Sequence, residues 1–145
     1  MVKNPTIIII IPVYNESATL RSVISELISN KYGNIVVVDD CSEQDILNEI
    51  YDFNIHYLRH RVNLGQGGAL QTGFNYAKEL GGDIIVTFDA DGQHDIGDIA
   101  SLIQPIINSE TDIVFGSRFL NKSRGSIPFT RMFLLQCARI INYIF

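Results

Sequence analysis

Residues 88–95 read Phe-Asp-Ala-Asp-Gly-Gln-His-Asp, two carboxylates separated by one small residue at the end of an apolar run. In an extended segment, residues i and i+2 point the same way, so Asp89 and Asp91 are expected to face one ligand together. Carboxylates this close repel unless a proton or cation lies between them. A hard divalent ion, Mg²⁺ or Mn²⁺, in an oxygen-rich shell shared with a diphosphate relieves that repulsion, and Gln93 can add a carbonyl oxygen. The plain alternative is a solvated turn, because Asp and Gly gather in turns anyway. The position after a buried run favours the ligand reading. His94 is read as a hydrogen-bonding side chain rather than a base or metal ligand.

Four other segments carry polar groups after apolar runs. Asp39-Asp40 follows Val36–Val38, and a carboxylate there can accept from a nucleobase N–H or from ribose hydroxyls. One of the two is expected to bind and the other to cap the following helix, with Ser42 competing for the cap. Asn63-Leu64-Gly65-Gln66-Gly67-Gly68-Ala69 opens a helix, where backbone N–H groups can approach phosphate. It lacks the Lys-Ser/Thr of a Walker loop and the spacing of a dinucleotide fingerprint, and its glycines can equally serve tight helix–sheet packing. Gly116-Ser117-Arg118-Phe119 places an arginine where it can pair with diphosphate or an acceptor phosphate. Tyr14, beside Asn15 and Glu16, is a candidate for stacking on a base.

The elements that must position these groups are legible as an alternation. Runs at residues 6–11, 35–38, 55–58, 83–88 and 112–115 are β-branched and continuous, the pattern of strands buried on both faces of a parallel sheet. Helical stretches are expected at 18–29, 44–51, 66–80 and 96–108. In the first of these, Leu20, Val23, Ile24, Leu27 and Ile28 form one apolar stripe, with Ser17 as its expected N-cap. Strand–helix alternation predicts a doubly wound α/β sheet with helices on both faces, and its ligand site at the carboxyl ends of the strands. All the polar segments above fall there.

Composition narrows the class. The 145 residues are 46% hydrophobic and 19% charged, enough for one buried core. Cys41 and Cys137 are too few for a disulfide scaffold and read as reduced thiols, which points to the cytoplasm. Residues 1–115 hold all 16 acids against six basic residues, a balance of −10, whereas Arg118, Lys122, Arg124, Arg131 and Arg139 make residues 116–145 purely basic. A nucleic-acid binder would be basic along a whole face, so that class is excluded; a basic tail instead fits one anionic ligand or an anionic membrane surface. The apolar stretch 129–145 carries Arg131 and Arg139 and reads as a buried or interfacial helix rather than a membrane span.

Ile11-Pro12-Val13-Tyr14-Asn15-Glu16, Val38-Asp39-Asp40, Asn63-Leu64-Gly65-Gln66-Gly67, Phe88 through Asp95 and Gly116-Ser117-Arg118-Phe119 together resemble the family 2 glycosyltransferases of the Rossmann-like GT-A fold, and most closely their dolichyl-phosphate mannose synthase-like, polyprenyl-phosphate branch. The resemblance runs from about Thr6 to the chain end. It implies inverting, metal-dependent transfer of a sugar from a nucleotide-diphospho-sugar, a UDP- or GDP-sugar, to a polyprenyl phosphate, without a covalent intermediate. By position, Pro12, Tyr14, Glu16, Val38 and Asp40 would hold the nucleoside, and Asp89, Ala90, Asp91 and Gln93 the sugar-diphosphate and metal. Asp91 and Arg118 would be the catalytic residues, Arg118 facing the phosphates or the acceptor.

Members of the family usually continue past this length, so the resemblance implies a donor-binding portion: a nucleotide-sugar-binding α/β domain over 1–120, then a basic loop and apolar helix over 121–145. That last segment is expected at the cytoplasmic face of a membrane or in self-association as a homo-oligomer. The alternatives are a catalytically inactive binding module or partner subunit, and a sugar-phosphate nucleotidyltransferase. The latter would show a glycine-rich basic loop after the first strand, where this chain has Pro12-Val13-Tyr14-Asn15-Glu16. A receiver domain would need a lone Asp after the third strand, where Arg59-His60-Arg61 stands.

Overall fold

Five consecutive isoleucines open the first strand, β1 (Ile7–Val13), and a strand's period of two sends them alternately to opposite faces. A computed structural model describes residues 4–116. Ile9, Ile11 and Val13 enter a core built with α1 (Ser17–Ser29), α2 (Ile46–Ile50) and α4 (Asp98–Ile107). Ile8 and Ile10 enter a second core with Ala69 and Ala77 of α3 (Gly65–Glu79). β2 (Ile35–Asp39) divides in the same way, Ile35 and Val37 to the first core and Val36 and Val38 to the second. β3 (His56–Arg59) and β4 (Ile84–Thr87) complete an all-parallel sheet in the order β3-β2-β1-β4. The two outer strands are only partly buried, as edges of the described sheet must be.

The expected α1 stripe is the buried face: Leu20, Val23, Ile24 and Leu27 are all buried. Each such side chain contributes about 1.5–3 kcal/mol relative to exposure. On the opposite face α3 comes close to β1 at Gly73, where a Cβ would stand 2.5 Å from Ile10 Cγ2. At this position the glycine does serve packing.

Several local expectations differ from the structure. Ser17 is the first helical residue rather than the N-cap; Glu16 precedes the helix without a side-chain cap, and the Ser17 amide donates to Gln44 Oε1. The helix expected over 44–51 is a single turn and a half, capped by Asp45, whose Oδ1 accepts from the Asn48 amide. Ser42, Asp39 and Asp40 are engaged elsewhere. Residues 112–115 are not a strand: Ile113 is 66% exposed and Phe115 86%, so strand propensity finds neither ladder nor burial among the described residues. Arg118 and the expected basic loop and apolar helix over 121–145 lie outside the described residues. No helix among the described residues is long and apolar enough to cross a membrane.

Candidate functional site

Strand order reverses about β1, with β2 and β3 to one side and β4 to the other. Crevices form at such switch points beyond the carboxyl ends of parallel strands. A cavity of about 500 Å³ lies there, lined by Pro12, Val13, Tyr14, Glu16, Asp40, Asn63, Gly65, Gln66, Ala69, Asp89 and Asp91. Of the residues singled out from sequence, Pro12, Tyr14, Glu16, Asp40, Gly65, Asp89 and Asp91 therefore share one cavity. Val38 and Ala90 are fully buried beside it, and Gln93 is exposed outside its lining.

The two carboxylates reach the same cavity by a route other than the extended one expected. The chain turns at Ala90–Gly92, where Asp91 Oδ1 accepts from the Gln93 amide and the Ala90 carbonyl accepts from the Thr19 hydroxyl. Asp89 Oδ1 accepts from Gln66 Nε2 at 3.3 Å, and its Oδ2 meets His94 Nε2 at 3.2 Å. Opposite them, burial and then the charges of Asp91 and Asp89 raise the Glu16 carboxyl above its ordinary value. With Asp40 also in the lining, four acids share one cavity. Among the described residues, no group of three His, Cys, Asp or Glu side chains is arranged to hold a metal ion unaided. Two carboxylates do fit an ion that completes its shell with waters and substrate phosphates, the usual habit of Mg²⁺.

Asp39 and Asp40 divide their work differently from the cap-and-bind expectation. Asp39 is fully buried; its Oδ1 accepts from the Ser42 amide at 2.8 Å, its Oδ2 from the Tyr57 hydroxyl at 2.7 Å, and Arg59 Nε stands 3.4 Å away. Asp40 lines the cavity, and its Oδ1 accepts from the Leu64 amide at 2.8 Å and meets His60 Nδ1 at 2.7 Å. Burial alone would raise the Asp40 carboxyl, but the Leu64 amide, the His60 ring and the Gly65 amide together hold it below its ordinary value. Gly65 adopts φ +79° with open space where a Cβ would be, so here the glycine serves the backbone path along the cavity rather than packing.

The β1–α1 and β2–α2 loops are clasped together. The Asn15 amide donates to Ser42 Oγ, and Asn15 Oδ1 accepts from the Glu43 amide. Asn15 takes φ 57°, which its short polar side chain tolerates. Tyr14 and Glu16 on either side are thereby held at the rim. Gln66, Asn15 and His60 stand in polar stretches of the sequence, but their partners Asp89, Ser42, Glu43, Asp40 and Thr72 lie far away along the chain, so the residues around them carry no sign of these roles. Asn63 acts locally, its Oδ1 accepting from the Gly65 amide.

Tyr57 offers a test of this substructure. Burial, followed by the hydrogen bond to Asp39, pushes its phenol from 10.0 to about 12. The neutral phenol is the form favoured in the fold, so its contribution is complete below pH 10 and is lost as pH climbs through about 12. Urea unfolding across that window should show the wild type losing stability more steeply than Tyr57→Phe. Parallel curves would remove Tyr57 from the pH response.

Comparison with known proteins agrees with this geometry. The Glycosyl transferase family 2 pattern matches residues 8–134. The chain is 41% identical over 143 residues to a UDP-N-acetylglucosamine–dolichyl-phosphate N-acetylglucosaminyltransferase of Methanococcus voltae, covering 86% of this chain and 57% of that one. It is 33% identical over 144 residues to a dolichol-phosphate mannosyltransferase of Pyrococcus furiosus, covering 94% and 40%. The chain thus spans about half the length of the curated relatives it matches. Among solved structures it is similar to glucosyl-3-phosphoglycerate synthase from Mycobacterium tuberculosis in complex with Mn²⁺, UDP-glucose and phosphoglyceric acid, with a TM-score of 0.60 and 25% identity over 74% of this chain and 41% of that one. The parallel sheet is that of the GT-A glycosyltransferases. With a match over most of its length and a cavity at the expected edge of the sheet, this chain belongs to glycosyl transferase family 2.

Proposed function

We propose that the chain carries the donor-binding part of an inverting glycosyltransferase that moves a sugar from a nucleoside diphosphate to a polyprenyl phosphate. The observation that carries this reading is the convergence of Tyr14, Glu16, Asp40, Gly65, Asp89 and Asp91 on one cavity at the strands' carboxyl ends. Tyr14, half exposed, stacks on the base, and Asp40, as a carboxylate, accepts from a base N–H. Pro12 and Val38 shape that end, Glu16 holds the nucleoside, and Gly65 brings backbone close to the diphosphate.

Asp89 and Asp91, with the Gln93 carbonyl, would hold Mg²⁺ or Mn²⁺ at the sugar-diphosphate beside Ala90, and the ion would offset charge that builds on the leaving group. An acceptor phosphate oxygen attacks the anomeric carbon opposite the departing diphosphate. The carbon–oxygen bond to that diphosphate breaks with its electron pair, and configuration inverts. Arg118 pairs with the phosphates or the acceptor. The basic segment from Arg118 to Arg139 approaches an anionic membrane at its cytoplasmic face, and the apolar residues among 129–145 serve that surface or a second copy.

The test is a thermal-shift titration of the 145-residue chain with UDP, GDP and their sugar conjugates, with and without Mn²⁺. A ligand that binds only the native state raises its melting temperature with the logarithm of its concentration above Kd, so no turnover is needed. A metal-dependent rise with one nucleotide is the expected result and identifies the base. A well-folded sample with no rise for any of them overturns the donor-site reading.

A further inference from the structure

Behind the cavity wall, three side chains, from the segments after β2 and β3 and from α3, form a continuous chain of hydrogen bonds. His60, immediately after β3, meets Asp40 Oδ1 through Nδ1 at 2.7 Å and Thr72 Oγ1 of α3 through Nε2 at 2.9 Å. The same Asp40 oxygen accepts from the Leu64 amide, the residue before α3 begins. The side chains of Asp40 and His60 are 4% and 11% exposed, so water does not compete freely for these bonds. Neither His60 nor Thr72 lines the cavity.

We propose that His60 is a positioning residue: it ties Asp40, and through Asp40 the Leu64–Gly65 edge of the cavity, to helix α3. The assignment of a ligand-facing role to that edge rests on the donor-site reading above. A carboxylate only accepts, and Asp40 is held ionised, so Nδ1 must carry a proton and donate to Oδ1. Thr72 then engages Nε2, which fixes the ring plane. With Oδ1 committed to His60 and Leu64, the carboxylate plane and the start of the glycine-rich segment cannot turn independently. Removing the imidazole frees both at once, although nothing that touches a ligand has changed.

The experiment reads two quantities on the full 145-residue chain: hydrogen exchange of the Leu64 amide against that of Val37 in the sheet, and Kd for UDP and for GDP with Mn²⁺. His60→Ala should speed Leu64 exchange about tenfold relative to Val37 and raise Kd about tenfold, the effect of one charge-assisted hydrogen bond. His60→Asn, whose amide N–H stands near the Nδ1 position, should recover most of both; His60→Gln, reaching toward Thr72 instead, should not. Thr72→Val, a nearly isosteric change away from the cavity, should give a smaller change of the same sign. Should His60→Ala be too unstable to study, the contrast between the Asn and Gln variants decides.

Leu64 exchange unchanged within about twofold, or Asn and Gln variants that behave alike, overturns the positioning role. A wild type that binds neither nucleotide defeats the donor-site reading, and the exchange data still decide whether His60 anchors Asp40 and Leu64.

Discussion

Asp91→Asn should leave the chain folded and raise Kd for its nucleotide in Mn²⁺ by about a hundredfold or more. The substitution keeps the side chain's shape and removes its charge, and a divalent ion needs that charge more than it needs an amide oxygen. Without metal the sign reverses. Asp89, Asp91 and Glu16 already crowd the cavity with negative charge, enough to raise the Glu16 carboxyl. A diphosphate then meets repulsion, so the metal-free Asn variant should bind slightly better than wild type. The Glu16 carboxyl should titrate lower in the variant, which NMR reads without any ligand, and thermal stability should hold or rise. Titration calorimetry with and without Mn²⁺ supplies both affinities. Equal affinity of wild type and variant in Mn²⁺ would remove Asp91 from the metal site, whatever the metal-free result.

Asp39→Ala is expected to be the most destabilising single change near the site, at about 2–5 kcal/mol, a large share of the 5–15 kcal/mol that holds a typical domain folded. The carboxylate is wholly buried and accepts from the Ser42 amide and the Tyr57 hydroxyl, with Arg59 alongside. Truncation leaves two donors without a partner, each costing about 1–3 kcal/mol. Asp39→Asn keeps one acceptor oxygen and should lose less. Since Ser42 also receives the Asn15 amide, loss of Asp39 should loosen the rim that carries Tyr14 and weaken nucleotide affinity in a protein that still folds at low temperature. Urea denaturation of the two variants reads the first effect. A loss under about 1 kcal/mol for Asp39→Ala would mean that the loops keep their shape without this anchor.

The adjacent pair Asp39-Asp40 marks where reading the chain stops and the fold takes over. The runs of isoleucine and valine in β1 and β2 announce buried parallel strands because burial on both faces leaves no polar alternation to blur the signal. The apolar stripe of α1 is equally plain, since 3.6-residue periodicity is a local property. The motifs after β1, β2 and β4 are recognisable in the chain, and the rule that ligands sit at strand carboxyl ends brings them to one edge.

Which oxygen meets which donor is not local. Asp39 and Asp40 have the same chemistry and differ by one position, so they point to opposite sides of β2. One meets Tyr57 and Arg59, and the other meets His60 and Leu64, some 20 residues further on. Residues 112–115 show the converse case, a strand propensity without a ladder to join among the described residues. Strand neighbours, the turn that aims Asp91, and the anchoring of the glycine-rich edge are all pairings between distant segments. Their energies depend on what the finished sheet brings together, because a hydrogen bond or a buried contact belongs to two partners and the sequence around either one names only half of it.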